Sequence, residues 1–216
     1  MVKFLLLIDD ISKFSKVDID QGKTPYDVYM LCSCIRETFC LSYSIRKSNN
    51  LYLYIQKQGI LIKFHGNKLR YLGPDERSQA LLLEKALKKI NKIISPENDD
   101  WFKSTPGIFI RKFNNSKSFM SYISSVIQQN YSFLIDDKSN FNNKLNFFNV
   151  KTRDDGFWEK SFFIIPTHRI SKDLHKLIQK FKDMKNIKII SLSKIKSLEN
   201  KILFINFQRD RQEILY

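Results

Sequence analysis

The chain has 216 residues, and its 43% hydrophobic and 27% charged residues exclude a disordered polypeptide and are enough for a real core. The formal net charge is +15, with 17 Lys and Arg against 12 Asp and Glu in residues 1–110 and 20 against 10 in residues 111–216. Such an excess attracts polyanions, since phosphate contacts dominate nucleic-acid affinity; a lysine-rich solvated surface is the competing reading of the same charge.

In chain order, Phe4–Ile8 is a continuous apolar run of strand length, as in a buried parallel sheet. Asp9-Asp10 follow at once, so the start reads as a strand rather than a signal peptide. No stretch reaches the roughly 18 apolar residues of a membrane span, which predicts a cytoplasmic protein with no membrane partner. Val28, Leu31, Ile35 and Phe39 recur at helical spacing and predict an amphipathic helix over Asp27–Ser44. Cys32, Cys34 and Cys40 lie within it. The first two project about 200° apart on a helix, which suits neither a shared metal nor a disulfide. They read as small buried residues in a reducing compartment.

Leu51–Ile55 and Ile60–Phe64 read as a strand pair joined across Gln56–Gly59. Gly73-Pro74-Asp75-Glu76 is a turn into a helix start. Leu83, Ala86, Leu87, Ile90 and Ile94 give that helix a buried face, with Lys88, Lys89 and Lys92 on its solvated side. Ser95–Asp100 is a polar break, and Ser104-Thr105-Pro106-Gly107 precedes a short strand, Ile108–Ile110. Phe119, Tyr122, Ile123 and Val126 mark a further helix, Tyr131–Ile135 a strand, and Asp136–Asn149 a polar segment. The last third gives a strand at Phe162–Ile165, a helix lined by Leu174, Leu177, Ile178 and Phe181, and strands at Ile187–Ile190 and Ile202–Phe207. Alternating strands and helices predict an α/β fold with a largely parallel sheet.

Three segments, in their order and spacing, resemble the archaeal tRNA pseudouridine-54 N1-methyltransferases. The first runs from Leu31-Cys32-Ser33-Cys34-Ile35 through Phe39, Leu41-Ser42 and Ile45-Arg46. The second is Lys68-Leu69-Arg70-Tyr71-Leu72-Gly73-Pro74-Asp75-Glu76-Arg77-Ser78, with the Lys85-Ala86-Leu87 helix behind it, and the third is Ser104-Thr105-Pro106-Gly107-Ile108-Phe109-Ile110-Arg111. Fainter likeness continues through Ser161–His168, Ile190-Ser191-Leu192-Ser193 and Ile202–Asn206.

The resemblance implies a SPOUT-type fold: a largely parallel sheet flanked by helices, with a C-terminal trefoil knot, over one domain of residues 1–216. Residues 1–130 would form the RNA and active-site half and residues 131–216 the knotted, cofactor-binding half of a homodimer. The implied reaction moves a methyl group from S-adenosyl-L-methionine to N1 of pseudouridine in the T-loop of tRNA. Implied cofactor residues are Leu134, Ile165, Pro166, Ser191, Leu192, Ser193 and Ile202; implied RNA contacts are Arg70, Arg77, Ser104 and Arg111. His168 is retained, but several positions depart from the family. Pro166-Thr167 stand where the family has a glycine and an acidic residue, Tyr29 where it has an acidic residue, Ser33 an arginine, Tyr43 a histidine, Lys194 a proline and Ile202 a cysteine. Proline removes a backbone donor where glycine allows close approach. Two other functions therefore stay open: a non-catalytic RNA-binding relative, and a pseudouridine N1-methyltransferase acting on another RNA.

Overall fold

The computed structural model describes residues 1–90, 101–137, 156–167 and 170–213. Lys92, Ile94, the Ser95–Asp100 break, most of Asp136–Asn149 and His168 lie outside the described residues. The strands are β1 (Val2–Ile8), β2 (Asn49–Ile55), β3 (Ile60–His65), β4 (Phe102–Thr105), β5 (Ile108–Lys112), β6 (Tyr131–Ile135), β7 (Ser161–Pro166) and β8 (Ile187–Ile190). The helices are α1 (Lys16–Asp20), α2 (Tyr26–Phe39), α3 (Glu76–Ile90), α4 (Ser116–Gln128), α5 (Lys172–Lys182) and α6 (Leu198–Glu213).

All eight strands join one sheet in the order β4-β5-β3-β2-β1-β7-β6-β8. β2, β1, β7, β6 and β8 are mutually parallel, and β3, β5 and β4 extend the β2 edge antiparallel. β1 sits in the middle, and alternation along it feeds two cores. Phe4, Leu6 and Ile8 join residues of α1, α2, α3 and α6 on one face. Leu5 and Leu7 join residues of α4 and α5 on the other. The continuous apolar run at the start of the chain is the signature of a strand covered on both sides.

Local sequence sets the helix starts. The Asp75 carboxylate accepts the Ser78 N–H at 2.8 Å at the head of α3. That bond holds its pKa below the usual carboxylate value. Asn115 caps α4 through the N–H groups of Lys117 and Ser118, and Ser171 caps α5 through Leu174.

The structure corrects one element. Ile202–Phe207 is not a strand; it lies inside α6. The buried positions of α6 are Leu198, Lys201, Ile202, Ile205, Asn206 and Arg209, which is helical spacing. Three of them are polar, while Leu203 and Phe207 are exposed, so the apolar pattern hides the period. α2 also ends at Phe39, short of the expected Ser44. Cys32 and Cys34 are buried on it as free thiols; burial and then Glu76 push Cys32 up to about 12, and burial first of all raises Cys34 as well, so both stay protonated at neutral pH. Among the described residues no helix is long and apolar enough to cross a membrane.

Candidate functional site

Parallel strands of an open α/β sheet deliver loops to their carboxyl ends, where such folds bind ligands. Here the carboxyl ends of β6 and β7 open onto a cavity of about 630 Å³. Ile135, Ile165, Pro166 and Ile178 supply apolar wall; Asp136, Asp137, Lys182 and Lys201 supply charge. Lys182 pairs with Asp136 and Lys201 with Asp137, each at 2.5 Å. Asp137 also accepts the Leu192 N–H at 3.0 Å, so it ties the end of β6 to the turn after β8 and to α6. Lys201 is 4% exposed, and the Asp137 carboxylate beside it offsets the cost of burying that ammonium.

Pro166 is the last residue of β7. The next N–H, of Thr167, donates to the Leu7 carbonyl at 3.0 Å, toward β1. Successive strand residues point their backbone groups to opposite sides, so a donor at position 166 would face β6. The β6–β7 ladder has ended two residues earlier, at Leu134 and Ile164, which is why a strand between two neighbours accepts proline here.

Of the expected cofactor residues, Ile165 and Pro166 line this cavity; Ser191, Leu192 and Ser193 do not, and their turn is joined to it by the Leu192 N–H bond to Asp137. Leu134 and Ile202 do not line it either. Leu134 is fully buried toward α4 and α5, and Ile202 is fully buried on the opposite face of the sheet. Asp137 and Lys201 were missed from sequence; no residue pattern joins two positions that meet only after β8 and α6 pack.

A second cavity, of about 510 Å³, opens at the carboxyl end of β1 and shares Thr167 with the first. It carries three carboxylates, Asp9, Asp10 and Asp27. Lys57 bridges Asp9 at 3.2 Å and Asp10 at 3.6 Å, and Ser171 donates to Asp9. Asp27 accepts the Ser12 N–H at 2.7 Å. Tyr29 is exposed on α2 and is not part of this lining. Carboxylates placed directly after a buried parallel strand were a sequence signal for Asp9 and Asp10; Asp27 gave none.

The expected RNA contacts fall elsewhere. Because β3 runs antiparallel to β2, the residues after it emerge at the amino ends of the parallel strands. The turn between β4 and β5 emerges there too, since Phe64 at the end of β3 pairs with Ile108. The two segments lock together: the His65 N–H donates to Gly107 at 2.8 Å and the Arg70 N–H to Pro106 at 3.4 Å. Gly107 has φ +84°, and a Cβ on it would lie 2.4 Å from the Leu69 nitrogen, so only glycine fits. They enclose a cleft of about 530 Å³ that includes Arg70, with Ser104 half-buried on β4 beside it. Arg77 lies apart and pairs with Asp20 of α1 at 2.8 Å. Arg111 is 8% exposed, its guanidinium 4.5 Å from the Tyr122 ring and 5.0 Å from that of Phe113, on the α4 side of the sheet. It is part of a packed cation–aromatic layer rather than of the cleft.

Residues 12–214 match the model of the family titled "Putative SAM-dependent RNA methyltransferase". The chain belongs to that family. Individual relatives agree with the family's title. The chain is 38% identical over 86 residues to the tRNA (pseudouridine(54)-N(1))-methyltransferase of Methanocaldococcus jannaschii, covering 38% of this chain and 42% of the relative. It is 30% identical over 146 residues to the enzyme of that name from Methanocorpusculum labreanum, covering 59% and 71%. Against that from Haloferax volcanii it is 38% identical over 99 residues, covering 46% and 47%. The chain therefore spans less than half the length of two of these three. The matched region contains the whole lining of the amino-end cleft and of the cavity at β6 and β7, and that of the β1 cavity from Ser12 onward, with Asp9 and Asp10 just before it.

Proposed function

We propose that the protein is a tRNA pseudouridine-54 N1-methyltransferase that binds S-adenosyl-L-methionine in the carboxyl-end cavity. The observation that carries this reading is the pair of cavities sharing Thr167, in a chain matched over residues 12–214 to a methyltransferase family. The residues present fit the cofactor. Ile135, Ile165, Pro166 and Ile178 offer an apolar wall for a nucleobase, while Asp137 and Lys201 offer an acceptor and a donor for its polar groups. The turn after β8 adds Ser191–Ser193, and in that turn the Ser197 hydroxyl is buried with no hydrogen-bond partner among the described residues. When bound, the cofactor supplies an electrophilic methyl group, so the protein's share is to bind, orient and deprotonate.

The neighbouring cavity suits the acceptor base. N1 of pseudouridine must lose a proton, and a carboxylate within reach is the simplest acceptor. Asp9 and Asp10 are paired with Lys57. Asp27 is oriented by the Ser12 N–H, and we assign it the proton. Arg70 and Ser104 at the amino-end cleft would hold the RNA backbone, with Arg77 and the basic surface adding long-range attraction.

The reading includes a C-terminal trefoil knot and a homodimer. Supporting the first, β8 is an edge strand, yet the chain returns past β6 and β7 to pack α6 against α2. Supporting the second, these adjacent helices expose Tyr26, Tyr29, Leu203 and Phe207, and two-fold dimers are the commonest assemblies.

The competing reading, an RNA-binding relative without catalysis, is favoured by Pro166 at the cofactor cavity. Calorimetric titration of the purified protein with S-adenosyl-L-methionine separates the two. Saturable one-to-one heat supports the methyltransferase; absence of heat at millimolar cofactor, with tRNA still bound, supports the other.

A further inference from the structure

The amino-end cleft holds more than the expected arginine. Tyr71 stands in it with φ +66°, among the described residues the one non-glycine with a positive φ. That left-handed conformation is costly for a bulky side chain and persists where the surroundings impose it. The surroundings here are the locked pair of segments: Leu69 donates to Gly66 at 3.3 Å and Arg70 to Pro106 at 3.4 Å, which fixes the backbone immediately before Tyr71. The outcome is an aromatic ring that is 78% exposed at the mouth of a concave surface. An exposed tyrosine ring held out by a strained backbone contributes nothing to the core.

Cations surround it. Lys68, Arg70 and Lys103 line the same cleft, and the Lys68 ammonium lies 5.9 Å from the Phe109 ring centroid, which leaves it partly ordered over apolar surface. Aromatic rings flanked by cations are what an unpaired nucleotide needs: a face on which the base stacks and charges that neutralise the phosphates on either side. A helical duplex offers no such base face, because its bases are stacked on one another.

We infer that this cleft is a stacking site for a single unpaired nucleotide of the RNA, with Tyr71 against the base and Lys68, Arg70 and Lys103 on its phosphates. The inference rests on the RNA reading proposed above and adds a residue and a recognition mode to it. The cleft lies at the amino ends of the parallel strands, and the two cavities lie at the carboxyl ends, separated by the length of β1. Seven strand residues span roughly 20 Å. Within one protomer the stacked nucleotide is therefore not the one that receives the methyl group, and the cleft reads loop shape at a distance.

The test compares the parent with Tyr71→Ala, Tyr71→Phe and Lys103→Gln. The probes are an RNA hairpin with 2-aminopurine in its unpaired loop and a fully paired RNA of the same length. Tyr71→Ala is expected to weaken hairpin binding about tenfold or more and to abolish quenching of the 2-aminopurine, with its salt dependence unchanged. Tyr71→Phe keeps both affinity and quenching. Lys103→Gln keeps the quenching but lowers the slope of log affinity against log salt by about one unit or less. Duplex affinity is unchanged by Tyr71→Ala. If the parent binds the hairpin and Tyr71→Ala binds it equally well, or loses hairpin and duplex alike, the stacking site is refuted while the RNA reading stands. If the parent binds neither RNA, both are refuted.

Discussion

Pro166 sets the backbone donors available at the proposed cofactor cavity. The backbone direction at the end of β7 is fixed by the Thr167 bond to Leu7, so residue 166 faces the β6 side, where Asp136 and Asp137 line the proposed cofactor cavity. Proline has no donor to place there, and a buried group left without its partner costs about 1–3 kcal/mol. Pro166→Gly is therefore expected to bind S-adenosyl-L-methionine roughly tenfold more tightly in calorimetry, while losing about 0.4–1 kcal/mol of stability through the freer unfolded chain. Equal affinity for the two proteins would remove the donor account. Asp27 carries a separate expectation. Asp27→Asn should lower the methylation rate by about a hundredfold or more with cofactor affinity unchanged, because the amide keeps the shape and loses the proton acceptor; a rate within a factor of a few of the parent would exclude Asp27 as the acceptor. Ile165 and Pro166, which the family resemblance singled out, line the carboxyl-end cavity at the end of β7. Leu134 and Ile202, also expected from the resemblance, turn their side chains into the two cores, which an aligned position alone does not reveal.

At the scale of elements, β1, the β2–β3 hairpin and α3 to α5 follow the hydrophobic period, and their boundaries shift by only a few residues. α6 does not, because its buried face is built on a polar network. The Asn49 amide donates to the Thr38 carbonyl at 2.7 Å and to Asn206 at 3.0 Å, and its oxygen accepts from Arg209 at 2.7 Å. Asn206 in turn donates to the Glu37 carbonyl at 2.8 Å. Arg46 and Asp210 close the edge at 2.7 Å. One asparagine at the start of β2 thus fastens the C-terminal helix to α2. Asn49→Ala should cost about 3 kcal/mol in chemical denaturation, since it strands buried polar groups and part of a charge pair. Ser48→Ala, which removes a more exposed acceptor 3.1 Å from the same arginine, should cost under about 1 kcal/mol. Similar small losses in both variants would mean that apolar packing alone holds α6. Buried polar positions of this kind score as surface in any apolar pattern, which is why the helix read as a strand.

For the whole molecule, charge and topology divide the work. The parallel strands carry two cavities at their carboxyl ends, and the antiparallel extension from β3 to β4 carries a basic cleft to the other end. On the proposed function, the net charge of +15 would supply attraction for RNA that no single contact has to provide. The exposed apolar side chains of α2 and α6 would be covered in the proposed dimer, for which light scattering should give twice the chain mass of 25.7 kDa; a mass of one chain at micromolar concentration would contradict that proposal. The central claim is the reaction itself. The most direct measurement is nucleoside mass spectrometry of two tRNA transcripts, one with pseudouridine and one with uridine at position 54, after incubation with the protein and S-adenosyl-L-methionine. N1-methylpseudouridine formed from the first transcript, with no methylated product from the second, is the predicted result; no methyl transfer to either, at protein concentrations that saturate the tRNA, would contradict it.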